Sequence, residues 1–395
     1  MKRYDFDRVI DRHGSGSIKY DDLKATFGAE DLIPMWIADM DFAVCPEITE
    51  ALKQRMSHPI YGYAAPAESY WTSILDWLDR RHGFKVGRQE ITYIPGVVKG
   101  IGFAINFFSK PGDKIIIQPP VYHPFKIVTE GNDRVVLPNP LIKTDTSYRM
   151  DLEGLERLAR KEKPAMMILC NPHNPVGIQW DANTLREVAR IARENNMIVV
   201  SDEIHGDLML NGRPHIPFLA VSEDARAVGV MLGAPSKTFN IPGMVSSWCI
   251  IKNPELRDRF FHWLDTNEFN APTFTATIAT EAAYNNGEPW LNEALEYISD
   301  NIDFTRRYLA ERLPVIDMVT PEASFLVWLD CRNLGLDQEQ LVKLFVNRAH
   351  LALNDGSMFG DEGRGYMRLN VACPRSVLTT ALDHLHDALA PAIKQ

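Results

Sequence analysis

The sequence predicts an α/β chain in which a mostly parallel sheet is covered by helices on both faces and joined to a smaller α+β unit. Three observations carry that expectation. Between residues 91 and 251, short β-rich runs alternate with helical patterns. Several of those runs, such as Met166 to Cys170, are apolar at every position, as strands buried on both faces must be. After Pro254 the pattern changes to long helices, and then to a strand, a helix, a strand and a final helix.

Residues 1–30 are polar and weakly periodic, and Leu32 to Phe42 reads as an extended arm ended by Pro46. Ile48 to Met56 fits a short helix, and Ile60-Tyr61-Gly62-Tyr63 reads as a loop presenting two aromatics. Trp71, Ile74, Leu75 and Leu78 repeat at helical spacing within Ser69 to Arg81, which His82-Gly83 ends. Strands are expected at Ile91 to Ile94, Lys114 to Ile117, Val135 to Leu137, Met166 to Cys170, Met197 to Val200, Ala227 to Leu232 and Ser246 to Ile251. Helices are expected at Val97 to Phe108, His123 to Glu130, Leu152 to Lys161 and Asn183 to Asn195. Farther on, helical patterns cover Glu255 to Asp265, Pro272 to Tyr284 and Trp290 to Leu313. The small unit is strand Phe325 to Leu329, helix Asp337 to Ala349, strand Gly365 to Val371 and helix Arg375 to Leu389. A large domain over 51–290 is therefore expected, with residues 1–50 and 291–395 forming an arm and a small domain.

The 395 residues carry a net charge of −10 that is spread along the chain, which disfavours a nucleic-acid partner. Five cysteines, far apart and without a C-x-x-C pair, point to reduced thiols, with no disulfide and no structural metal. No apolar run of about 18 residues could span a bilayer, and the first residues lack the apolar core of a secretion signal. A cytoplasmic location and no membrane partner are expected.

Chemistry is concentrated where predicted strands end. Val230 to Gly233 runs into Ala234-Pro235-Ser236-Lys237, and a lysine desolvated there populates the neutral amine that forms Schiff bases. Pro95-Gly96-Val97-Val98 passes from strand to helix through a glycine, so free N–H groups could face a phosphate. Tyr122 follows the strand at 114–117 and is either a core residue or a platform for a flat ring. Asn174 sits in the turn Asn171-Pro172-His173-Asn174-Pro175, where its amide could meet a ring oxygen. Asp202 ends the next strand as a helix cap or as a carboxylate for a heteroaromatic nitrogen, with His205 three residues on. Arg368, on a predicted strand near the end of the chain, is a surface residue or a fork for a carboxylate.

This order resembles the fold-type I enzymes that use pyridoxal 5′-phosphate (PLP), over nearly the whole chain. Within them it is most similar to the MalY/PatB-type carbon–sulfur β-lyases, the cystathionine β-lyase subgroup of the aminotransferase class I/II superfamily. Met35 to Phe42, Ser201-Asp202-Glu203-Ile204-His205 and Ser236 to Gly243 carry the closer match. The resemblance implies a PLP-dependent transferase, aspartate-aminotransferase-like fold and a small amino-acid substrate. Lys237 would link the cofactor and later take the Cα proton, Asp202 would keep the ring nitrogen protonated, and Tyr122 would stack on the ring. Asn174 and His205 would bond the ring oxygen, while Gly96, Val97, Val98 and Ser236 would hold the phosphate. Arg368 and Ala38 would bind the substrate. Tyr61 would reach the cofactor of a second subunit, which implies a homodimer with shared active sites. Three departures are visible: Ala234 stands where many relatives have a hydroxyl residue, residues 238–251 contain no cation where aminotransferases commonly have an arginine, and His205 stands where they commonly have tyrosine. That histidine favours the lyase; an aminotransferase, or a regulator that keeps the site, is the alternative.

Overall fold

The computed structural model describes residues 3–393. Residues 1, 2, 394 and 395, which the expected arm and small domain include, lie outside the described residues. In the first thirty residues, polar and weakly periodic in sequence, two short helices form at Ile18–Asp21 and Leu23–Phe27. The expected extended arm follows, although only β1 (Ile33–Pro34) of it is a strand. Next come β2 (Ile91–Ile94), β3 (Lys114–Ile117), β4 (Val135–Pro138), the pair β5 (Ile142–Lys143) and β6 (Tyr148–Arg149), β7 (Met166–Cys170) and β8 (Ile198–Asp202). β9 (Gly229–Gly233) and β10 (Ser247–Ile250) complete this region. The last strands are β11 (Asp317–Val319), β12 (Leu326–Asp330), β13 (Leu351–Ala352), β14 (Asn354–Asp355) and β15 (Tyr366–Asn370).

Seven strands form the large sheet in the order β2-β10-β9-β8-β7-β3-β4. β10 runs antiparallel to both neighbours, and the remaining pairs are parallel. Alternate side chains of each strand enter different cores, as a two-residue period requires. Met166, Ile168 and Cys170 of β7 join Ile101 and Phe260, from the helices Val97–Phe108 and Pro254–Thr266. Met167 and Leu169 join Leu155, Leu185 and Ala279, from helices Leu152–Glu162, Ala182–Glu194 and Phe274–Asn286. Helices therefore cover both faces, which is why these strands carry no polar side.

The helices start and stop where the sequence supplies a partner for exposed backbone groups. Asp151, Asp181, Ser222 and Thr273 each accept N–H groups of the first turn that follows. Glu68–His82 ends at Gly83, whose φ of 62° suits a residue without Cβ. Two expected elements are corrected. The first residues of the expected strand from Ala227 belong to a helix, Glu223–Val228, because Ser222 caps it and delays the strand to Gly229. The helix expected over 337–349 is α-helical only at Gln338–Lys343 and widens into a π-turn at Leu344–Arg348.

A second sheet, β11-β12-β15-β14, is antiparallel throughout. The arm is tied to this part of the molecule, for β1 pairs in parallel with β13, setting Ile33 opposite Leu351.

Candidate active site

The carboxyl ends of β7, β8 and β9 meet at one edge of the large sheet, with Cys170 opposite Asp202 and Asp202 opposite Leu232. Loops leaving such an edge form crevices. Here they line a cavity of about 310 Å³ that contains Ala38, Gly96, Val97, Val98, Tyr122, Asn174, Asp202, His205, Ser236 and Lys237. Ten of the expected site residues are thus brought together from positions spread over two hundred residues.

Lys237 lies in the short helix Pro235–Thr238 that begins one residue beyond β9. Its Nζ donates to the Ala38 carbonyl at 2.6 Å. Burial lowers its pKa to about 8, helped by Arg368 and opposed by Asp39 and Asp202, so the neutral amine is accessible near neutrality. Asp202 is buried, and desolvation pushes its carboxyl up to about 7 against the N–H donated by Ile204. Lys237 acts on it only at a distance, and it forms no ion pair among the described residues; a protonated ring nitrogen would supply that partner. Burial, with Lys237 and Arg368, holds His205 neutral down to about 3. Its Nδ1 has no hydrogen-bond partner among the described residues.

At the other end of the cavity the first backbone bond of the helix Val97–Phe108 runs from Gly100 N–H to Gly96 O at 2.9 Å. The N–H groups of Val97, Val98 and Lys99 therefore have no partner within the helix and are free for an anion. Gly96 makes the turn at a φ of 116°, which only glycine adopts without strain. Ser236, Ser246 and Ser247 line the same cavity, the last two unforeseen in the sequence.

Arg368 is not a surface residue; it is 3% exposed. Its Nη1 donates to Asn174 Oδ1 at 3.0 Å, and its Nη2 donates both to Asn354 Oδ1 at 2.6 Å and to the Trp36 carbonyl at 3.2 Å. Its Nε is left without a hydrogen-bond partner among the described residues. With its oxygen taken, Asn174 keeps an amide N–H₂ for a ligand oxygen. Residues 36–42 form a strap across this region. Asn240 bonds Met40 N–H and O and Phe42 O, and Asn370 donates to Ile37 O and Asp39 O. Beneath the strap, Asp41 pairs with Arg12 at 2.6 Å and with Lys19 at 2.8 Å, the lysine being 1% exposed. Sequence reasoning missed Asn354, Asn370, Asn240, Lys19 and Arg12, since a polar side chain in a short strand, a one-turn helix or a loop carries no periodic signal of what it will face.

Tyr61 lies outside the cavity. It is exposed, stacks on Phe274 with centroids 5.8 Å apart, and donates its hydroxyl to Met56 O. Ala38 takes part through its carbonyl, not its side chain.

Residues 30–385 match the aminotransferase class I and II family. The chain belongs to that family. It is 40% identical to the cystathionine β-lyase PatB of Bacillus subtilis, over 98% of this chain and all of the relative. The protein MalY of Escherichia coli is 34% identical over 98% of this chain and 99% of its own. Among solved structures, cystalysin from Treponema denticola, which contains PLP, superposes with a TM-score of 0.95 at 32% identity, covering 98% of this chain and 99% of that one. The aspartate-aminotransferase-like fold expected from the sequence is thus the fold of this family member.

Proposed function

We propose that this family member is a PLP-dependent carbon–sulfur β-lyase that cleaves cystathionine or a related S-substituted cysteine to thiol, pyruvate and ammonia. Its full-length similarity to a relative named cystathionine β-lyase carries the reading. The donor set supports the cofactor: a desolvated lysine, an uncompensated buried carboxylate, free helix N–H groups and an unpartnered histidine edge surround one cavity.

Bound PLP supplies an electron sink for the pair released when the substrate's Cα–H bond breaks. Asp202 would hold the ring nitrogen protonated, Tyr122 would stack on the ring, and Asn174 with His205 would bond its oxygen. Gly96, Val97, Val98 and Ser236 would hold the phosphate. Arg368 would fix the substrate carboxylate, turning the Cα–H bond toward Lys237. Lys237 Nζ, freed to act as a base, would take that proton; the Cβ–S bond then breaks, the thiolate gains a proton, and the released 2-aminoacrylate hydrolyses to pyruvate and ammonia. A homodimer in which Tyr61 reaches the partner's cofactor fits its exposure, and a large domain over 51–290 with the arm and small domain on either side of it fits the two sheets.

Cystathionine alone should give thiol, pyruvate and ammonia in equal amounts without a keto acid, and Lys237→Ala should abolish this. Amino-group transfer to a keto acid with no elimination from any cysteine thioether would instead establish the aminotransferase.

A further inference from the structure

The cavity has an electrostatic imbalance at its phosphate end. A phosphate monoester carries a charge of about −1.5 to −2 near neutrality. Donors there are neutral: the N–H groups of Val97 and Val98 and the hydroxyl of Ser236. Residues 238–251 offer no cation. His205 is held neutral, and Lys237 is committed to the opposite task at the ring end. One further cation lines the cavity: Lys99, from the first turn of the helix Val97–Phe108.

Unlike Lys19, Lys114 and Lys252, which are paired with carboxylates, the Lys99 ammonium makes no ion pair or hydrogen bond with any other described residue. It is exposed on the solvent side and follows Val98 directly, so its own N–H is the third free donor of the turn. Resting on the PLP reading above, we propose that Lys99 is the counter-charge for the cofactor phosphate in this chain, taking over from the missing cation after Lys237. The ammonium and the helix N-terminus act on the same anion, one as a full charge and the other as oriented N–H dipoles. Because the site is open to solvent, salt screens the contribution.

Lys99→Met and Lys99→Arg holoenzymes test this through coenzyme affinity, without reference to turnover. The dissociation constant of PLP, followed by its protein-bound absorbance, should rise about tenfold for Lys99→Met at low salt and much less in 0.5 M salt. Lys99→Arg should stay within about twofold of the parent. Pyridoxal, which lacks the phosphate, should bind the parent and Lys99→Met equally. PLP affinity unchanged in Lys99→Met overturns the proposal, as does equal weakening toward PLP and pyridoxal, which would mark Lys99 as merely structural. A parent protein that binds no PLP would instead overturn the cofactor reading itself.

Discussion

Arg368 shows how far a single residue can be read from the chain alone. Its position on a strand near the end of the sequence was legible, but its burial was not, because Asn174 and Trp36 reach it from distant segments and Asn354 from the neighbouring strand. Asp202 and Lys237 were easier, since one closes a largely apolar strand and the other follows an apolar strand within four residues, which leaves both at the strand ends. Arg368→Ala should lower kcat/KM for cystathionine by about two orders of magnitude, the scale of a lost desolvated charge-assisted pair. Arg368→Lys should restore little, because an ammonium lacks the planar fork. Activity measured across both variants checks the assignment, and full activity of the alanine form would move the carboxylate site elsewhere. The histidines make a separate prediction about acid. Burial depresses His173 and His205 to about 3 and His123 to about 4, whereas an unfolded chain takes up those protons near 6.5. The stability they contribute is present above that value and drains as pH falls toward 4, by about 1.4 kcal/mol per proton per pH unit. Asp202 in the coenzyme-free chain has the opposite sign, its raised pKa costing stability as pH climbs from 3.8 through 7. Three histidines outweigh one carboxylate, so the coenzyme-free protein's melting temperature should already decline between pH 6.5 and 4. A profile flat over that range would contradict the burial of these rings.

Among the elements, the strands of the large sheet were the most legible, because being covered on both faces leaves them no polar alternation to confuse with a helix. The elements misjudged were those governed by a cap or a widened turn, as at Ser222 and Leu344–Arg348, where one hydrogen bond outweighs the apolar pattern. β9 and β10 make a sharper case. Gly233 lies opposite Trp248, and a Cβ on Gly233 would stand 2.2 Å from the indole ring. That ring cannot retreat, being buried with its Nε1 donating to Tyr284 Oη at 3.2 Å. Gly233→Ala should therefore cost about 1–3 kcal/mol of overpacking in a urea titration. It should also weaken coenzyme binding, since Lys237 starts its turn from the end of the same strand. An alanine variant as stable as the parent would mean that β9 and β10 can separate freely.

For the whole molecule, the arm is what sequence reading captured least: residues 1–30 looked polar, yet Arg12 and Lys19 turn inward to neutralise Asp39 and Asp41 under the strap. Lysine stems and arginine forks on a loop look the same in sequence whether they face water or a carboxylate. Asp41→Asn should cost about 3–5 kcal/mol in unfolding free energy, as expected when one partner of a buried pair is lost. A cost below about 1 kcal/mol would match a solvent-exposed pair instead. The strap has a further consequence in time. Asn370 clasps Ile37 and Asp39 across 333 and 331 residues of sequence, and β1 finds β13 only after Leu351 exists. At synthesis rates of about 5–20 residues per second, the strap leaves the ribosome roughly twenty seconds to a minute before the strand that fastens it. Throughout that interval Trp36, Met40 and Phe42, all buried in the finished protein, have nothing to pack against from the far end of the chain. The nascent enzyme thus makes an apolar segment long before the clasp that buries it, and only the last stretch of synthesis supplies Asn370 and Leu351 to close over it.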